Sequence, residues 1–145
     1  MTPHELQQLL YQEIPITQAM AIEVQKLSKS DIEIKAPFEA NKNIHQTAFA
    51  GSIYTTATLA GWSLLTNHLK QEGLKGSVVL GKAQINYLQP IKGDIIARTK
   101  LPSDEQLTLF EKQLNSKGRS KLKLLVEVIE NEQVKASFEG AYAVL

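Results

Sequence analysis

Polar and apolar positions alternate along most of this chain, and one stretch breaks the alternation. From Asn43 to Leu69 there is no Asp, Glu, Lys or Arg; only His45 and His68 can carry charge there. Phe49, Ile53, Ala57, Ala60 and Leu64 form one stripe at helical spacing, and Tyr54, Gly61, Leu65 and His68 form another. Ser52, Thr56, Ser63 and Asn67 lie nearer a small, weakly polar side, where hydroxyls can bond back to the helix backbone. A helix with no charged face, set among half-buried strands, is one that other elements wrap. The pattern predicts this central helix over 47–72, starting between Thr47 and Ala50, with Thr47 as a possible N-cap and Gly73 in the C-terminal capping position.

The flanking segments read as shorter elements. Thr2-Pro3-His4-Glu5 is a capping box with proline at the first helical position, and Leu6, Leu9, Leu10 and Ile14 form one apolar stripe, so a short amphipathic helix is expected within 1–15. Met20 to Leu27 and Asp31 to Ala36 alternate, and Ser28-Lys29-Ser30 joins them as a hairpin. Pro37 to Lys42 reads as a loop. Ser77 to Leu88 is a long strand with Val79, Gly81, Ala83, Ile85 and Tyr87 on one face. Gly93, before the strand Ile95 to Leu101, suits a positive-φ position. Leu107, Phe110 and Leu114 suggest a helix over 104–114, followed by a basic loop at 115–119. Two last strands carry Leu122, Leu124, Val126 and Val128, then Val134, Ala136, Phe138, Gly140, Tyr142 and Val144, with Asn131 in the tight turn between. The order predicts an α+β architecture: about six antiparallel strands curled around one long helix, with a short N-terminal helix, as a single domain over 1–145.

Composition removes several classes of function. The 145 residues include 43% hydrophobic side chains, enough for one core, and the formal net charge of +1 gives no nucleic-acid footprint. With no cysteine, disulfides, thiolate nucleophiles and Cys-based zinc sites are ruled out, and no metal or cofactor is predicted. The uncharged stretch is long enough to span a bilayer. Its many Ser and Thr residues, with Asn67, Gly51 and Gly61, argue instead for a buried helix, so no membrane insertion is expected. The first residues lack the apolar core of a secretory signal, and a cytoplasmic location is expected.

Two local patterns carry a resemblance. Asn43-Ile-His45-Gln46-Thr47-Ala-Phe49-Ala50-Gly51-Ser52 is similar to the Asn-x-x-Gly-x-x-His-Gly-Gly stretch that opens the central helix of phenylacetyl-CoA-thioesterase-like proteins. Gln84-Ile-Asn86-Tyr87-Leu-Gln-Pro90-Ile-Lys-Gly93-Asp94 is similar to the strand-turn-strand run of hotdog enzymes, and Gly118-Arg119-Ser120 fits the same run. From about Ala19 onward the chain resembles the hotdog fold of the thioesterase and dehydratase superfamily. Its central stretch, with Thr47 to Tyr54 and Gly61-Trp62, most resembles thioesterase domains of the YiiD C-terminal type. The resemblance implies hydrolysis of an acyl-CoA or acyl-ACP thioester by a homodimer or dimer of dimers, with active sites at the dimer interface. It departs at three places. Gln46 replaces a glycine, Phe49-Ala50-Gly51 replaces His-Gly-Gly, and Thr58 stands where the helix would carry a catalytic carboxylate.

Thioester hydrolysis needs a polarised carbonyl, an activated water and a channel for the acyl carrier arm. Backbone N–H groups at the helix start supply the first, with Gly51 permitting close approach. Asn43 could orient the carbonyl or the water, or could simply build the turn before the helix. For the water, Thr58 could position it or could bond back to its own helix, since a hydroxyl is no general base at neutral pH. His45 could act as the base or stand exposed on its loop. Phe49, Ser52 and Tyr54 are candidates to contact substrate. Lys82 and Asn86 are candidates for the nucleotide side, and Arg119 lies within the basic run Lys117, Arg119, Lys121 and Lys123 that suits phosphates or an acidic carrier protein. A Ser-His-Asp triad finds no supporting spacing, and a dehydratase would require a helix carboxylate that is missing. A non-catalytic acyl or acyl-CoA binding module is the alternative. His68, near the helix C-terminus, reads as interfacial or dipole-compensating.

Overall fold

The computed structural model describes all residues from 1 to 145. Six antiparallel strands form one sheet in the order β1-β2-β4-β5-β6-β3, as β1 (Glu23–Leu27), β2 (Asp31–Ala36), β3 (Val78–Tyr87), β4 (Ile95–Lys100), β5 (Ser120–Glu130) and β6 (Gln133–Val144). The long helix α4 (Ala50–Gln71) packs against β2, β3, β4, β5 and β6. The remaining helices are α1 (Pro3–Glu13), α2 (Ile16–Ala19), α3 (Phe38–Asn41) and α5 (Asp104–Lys117).

Burial explains why α4 holds its place. Ile53, Ala57, Leu59, Ala60, Leu64, Leu65 and Leu69 all enter the core. Each Leu or Ile contributes roughly 1.5–3 kcal/mol on leaving water, against about 1 kcal/mol for a good N-cap, so α4 forms without one. Close approach is set by Gly61, where an added Cβ would sit 2.3 Å from the hydroxyl of the fully buried Tyr142. At the other end, Gly73 (φ 64) takes the left-handed turn, and the Leu74 N–H reaches the Leu69 carbonyl at 2.8 Å.

Several elements follow the sequence pattern. The capping box of α1 forms, with the Glu5 N–H on the Thr2 hydroxyl at 3.1 Å and the Thr2 N–H on the Glu5 carboxylate at 3.0 Å. Leu6 and Leu10 are buried, and α1 is tied to β1 by Gln7, whose side chain accepts from the Val24 N–H. Asn131 (φ 51) and Glu132 (φ 62) make the tight β5–β6 turn.

Other expectations are corrected. Helix α4 begins at Ala50, the late end of the expected start between Thr47 and Ala50, and Thr47 is not its N-cap, because Asn43 closes residues 43–47 into a turn and takes up the Thr47 hydroxyl. Strand β1 begins at Glu23; Pro15 starts the short α2, and Ala21 (φ 55) reverses the chain first. The Pro37–Lys42 segment contains α3, whose Phe38 N–H is held by Asp94 at 2.8 Å. A bulge between Leu80 and Lys82 splits the face expected for β3: Val78 and Leu80 point inward before it, Ala83 and Ile85 after it, and Val79 is exposed. Gly93 has no positive φ; its missing Cβ leaves room for the Glu130 carboxylate, which accepts from the Lys92 N–H. Helix α5 runs on to Lys117 and ends at the left-handed Gly118, so only its last residues fall in the expected loop. His68 is buried and paired with Glu111 of α5 at 2.7 Å, which pins α5 to the end of α4.

Replacing Gly61 by alanine forces a methyl against the Tyr142 ring in a packed core. We expect a loss of about 1–3 kcal/mol in urea unfolding from the clash, while Gly73→Ala, beside open space but at φ 64, should lose about 1–2 kcal/mol from backbone strain alone.

Candidate functional site

The candidate site lies at the start of α4. Phe49 occupies the N-cap position, and no side chain caps the helix. The Phe49 N–H bonds the Asn41 carbonyl at 2.8 Å, and the Ile53 N–H bonds the Phe49 carbonyl at 3.0 Å. Between them the N–H groups of Ala50, Gly51 and Ser52 have no partner. Three adjacent free donors at the positive end of a 22-residue helix suit an oxygen atom that gains negative charge. The Phe49 ring lies across Gly51: an added Cβ there would sit 2.5 Å from the ring. Phe49 is nonetheless 54% exposed, and Ile44 is 89% exposed on the preceding turn.

The preceding loop is held by two asparagines. The Asn43 side-chain oxygen accepts from the His45 N–H at 2.8 Å and the Thr47 N–H at 3.2 Å, while its amide donates to the Thr47 hydroxyl at 2.9 Å. Gln46 sits at φ 59, in the left-handed region that glycine enters freely, so the departure from the resembled motif costs about 1–2 kcal/mol of backbone strain. The second asparagine, Asn41, gave no distinguishing signal in the sequence. It is buried, and its amide donates to the carbonyls of Met20 at 2.9 Å and Pro37 at 2.8 Å. Its own carbonyl fixes Phe49, so Asn41 links three segments to the helix start.

Three tyrosines pack along α4 from its start. The Tyr87 hydroxyl, at the end of β3, donates to the Ala50 carbonyl at 2.9 Å. The Tyr142 hydroxyl donates to the Thr58 carbonyl at 2.8 Å. Tyr54 packs edge-on against Phe138 at 5.4 Å, and no hydrogen bond is made by its hydroxyl. Burial raises the Tyr87 and Tyr142 hydroxyls above the ordinary tyrosine value; Tyr54 adds to both, and for Tyr142 a backbone bond with Trp62 opposes the rise. Strand β3 thus reaches the helix start by a contact between residues far apart in sequence, which periodicity does not reveal.

The predicted residues fall into two groups. Asn43, His45, Phe49, Gly51, Ser52 and Tyr54 lie on the helix start or the turn leading to it. Thr58 lies one turn beyond Tyr54, and its hydroxyl donates to the Tyr54 carbonyl at 2.9 Å. His45 is exposed on the turn. Lys82, Asn86 and Arg119 are elsewhere. Lys82 pairs with Ala141 and Asn86 with Ser137, whose neighbours Tyr142 and Phe138 point inward to α4, so both side chains lie on the outer face of the sheet. Arg119 is exposed just before the buried Ser120 of β5. The half-buried residues Gly51, Thr55, Thr58, Trp62 and Thr66 form an uncharged strip along α4. No group of three or more His, Cys, Asp or Glu is placed to hold a metal ion, and no helix is long and apolar enough to cross a membrane.

A curved antiparallel sheet around one central helix, with that helix start left open, defines a hotdog fold of the thioesterase type. The chain belongs to the family described as "Putative thioesterase (yiiD_Cterm)", whose model matches residues 3–145. Among solved structures it is similar to a protein of unknown function from Chlorobaculum tepidum TLS, with TM-score 0.92 and 29% identity over 99% of this chain and 96% of that one. A "putative thioesterase" from Shewanella oneidensis matches with TM-score 0.89 and 29% identity, again over 99% and 96% of the two chains. A thioesterase variant from Pseudomonas aeruginosa shares the fold, with TM-score 0.77 at 10% identity over 99% and 93%.

Asn43→Ala removes the side chain that closes the turn before α4. We expect a loss of about 1–3 kcal/mol in stability, read by thermal unfolding, with Asn43→Asp retaining part of it. The raised hydroxyl of Tyr142 sets an alkaline limit. Its stabilising protonated state is complete below the unfolded-state value of 10.0 and is lost as pH rises beyond it. Stability should fall above about pH 10, and Tyr142→Phe should flatten that fall in unfolding curves.

Proposed function

We propose that this protein is a thioester hydrolase acting on an acyl-CoA or acyl-ACP, with the thioester carbonyl seated at the start of α4. The observation that carries the reading is the uncapped helix start, where Ala50, Gly51 and Ser52 offer free N–H groups beside exposed apolar side chains. Membership of a thioesterase family supports it. In this mechanism the carbonyl oxygen accepts from the Gly51 and Ser52 N–H groups, which stabilise the oxyanion as water adds to the carbonyl carbon. Collapse of the tetrahedral species expels the thiolate and leaves the acid. Asn43 holds the turn that aims these donors, and Phe49 shields them from solvent. Ser52 and Tyr54 line the acyl side. Thr58 of the second copy in the proposed dimer positions the water, since seven residues of helix (about 10 Å) separate it from Gly51 in its own chain, and His45 is the candidate to take the proton. Lys82, Asn86 and Arg119 bind the carrier end of the substrate on the outer face.

We further propose a homodimer, itself able to pair into a dimer of dimers, working in the cytoplasm. Strand β3 is a sheet edge, and Val79, Tyr87 and Leu88 are exposed along it, with Phe49 and Ile44 nearby. An edge of this length with apolar side chains favours pairing with another chain. A second copy there would cover the uncharged strip of α4 and close the acyl channel. The competing reading is a binding module without turnover. It is favoured by Thr58, whose hydroxyl is bonded back into its own helix and which has no carboxylate beside it on α4.

Purified protein offered short, long and aromatic acyl-CoA esters and acyl-ACP should release free thiol, detected with a disulfide reagent. Asn43→Ala should lower turnover by at least ten-fold. Tight ester binding without thiol release, together with activity created by Thr58→Asp, would establish the binding module instead. Unchanged turnover in Asn43→Ala would show that the site is elsewhere.

A further inference from the structure

The outer face of the sheet, where Lys82 and Arg119 are proposed to meet the carrier end of the substrate, carries an apolar strip that the chemical step does not use. Beyond the buried side chains of β6, its outward residues Ala141 and Ala143 are small and half-buried, and Leu145, just past the strand, is 66% exposed. On one side the β5 register sets Lys123 opposite Ala141 and Lys121 opposite Ala143, with Arg119 two residues before Lys121. On the other side β3 sets Lys82 opposite Ala141 and Val79 opposite Ala143. The result is an apolar floor of Ala141, Ala143 and Val79, with Arg119, Lys121 and Lys123 on the β5 side and Lys82 alone on the β3 side. One carboxylate lies beside it: Glu139, which pairs with Lys123 at 2.9 Å. Arg119, Lys121 and Lys82 have no acidic partner.

We propose that this trough docks an acidic amphipathic helix of an acyl carrier protein, the carrier of the thioester; the inference rests on the hydrolase reading and names its partner. Lys82 and Lys123 stand two strand spacings apart across Ala141, roughly 10 Å between backbones. That matches the ~10–12 Å diameter of an α-helix with its side chains. An apolar stripe on the helix meets Ala141, Ala143, Val79 and Leu145, and flanking carboxylates meet the cations on either side. The separated cations fit a charged helix better than one compact phosphate group, which needs donors converging on a point. A two-fold contact of this face with itself would set Lys82 and Lys121 against their own kind, which disfavours a second copy.

The test measures the fluorescence anisotropy of a labelled type II holo-acyl carrier protein titrated with this protein. We expect saturable binding that weakens with salt. Ala143→Glu and Lys121→Glu should each weaken it at least ten-fold, while Lys121→Arg retains it. With an acyl-carrier substrate, Ala143→Glu should raise KM at unchanged kcat and leave acyl-CoA kinetics unchanged. Absence of carrier binding, binding indifferent to both variants, or equal loss with acyl-CoA overturns the proposal. So does a change of oligomeric state in Ala143→Glu by light scattering, which would make the face a contact between copies. Binding is read without turnover, so the two readings fail separately. Carrier binding through this face with no ester cleaved sinks the hydrolase reading alone. Cleavage of CoA esters with no carrier binding sinks the docking surface alone.

Discussion

The constraint on which the structure depends is the burial of a helix that carries no charge. Helix α4 cannot present a solvated face of its own, because Asn43 to Leu69 offers no Asp, Glu, Lys or Arg. A sheet curved around it removes most of its apolar surface from water, and small residues set how closely the two approach. Gly61 under the Tyr142 ring is the tightest of these contacts. The sheet bends and breaks register to serve this packing, with shifts at Val24/Lys26 in β1 and Leu80/Lys82 in β3. The same enclosure leaves the helix start and one strip uncovered, since β3 ends near Ala50 and no further strand follows it on that side of the sheet.

Packing energy decides what the helix start can offer. A helix stabilised by many buried Leu and Ile side chains can do without a cap, and its first N–H groups remain available. The loop before it supplies rigidity in place of a capping side chain. Asn43 closes the turn, and Asn41 fastens that turn to Met20, Pro37 and Phe49. Donors held this way need little reorganisation when charge develops on a bound oxygen, the condition under which hydrogen bonds contribute most to a reaction. The far end of α4 is held differently, by the hydrogen bond between His68 and Glu111, which commits both residues to packing α5.

Much of the fold was legible because hydrophobic period is a local property. The alternation of β2, β5 and β6, the capping box of α1 and the uncharged stretch of α4 each specify an element from neighbouring residues alone. The structure departs from this pattern where a specific contact or a break in register, rather than the period, decides the outcome. Thr47 has the chemistry of an N-cap, but Asn43 takes its hydroxyl into the loop. Gly93 has the freedom for a positive φ, but it is there to make room for Glu130. Val79 keeps the strand period, but a bulge two residues on turns it to solvent.

The candidate site divides in the same way. The sequence by itself determined the enclosed helix, its glycine near the start, and the lack of a carboxylate along it, because these depend on residue type and spacing. Tertiary structure alone decided which of the chosen residues meet. Sheet pairing carries Tyr87 to Ala50 across 37 positions and sends Lys82 and Asn86 to the opposite face, while Arg119 stands exposed just before β5. Side-chain direction in a strand alternates at every residue, so one register or one bulge determines which face a residue serves. No local pattern encodes that choice; it is made when the strands pair around the helix.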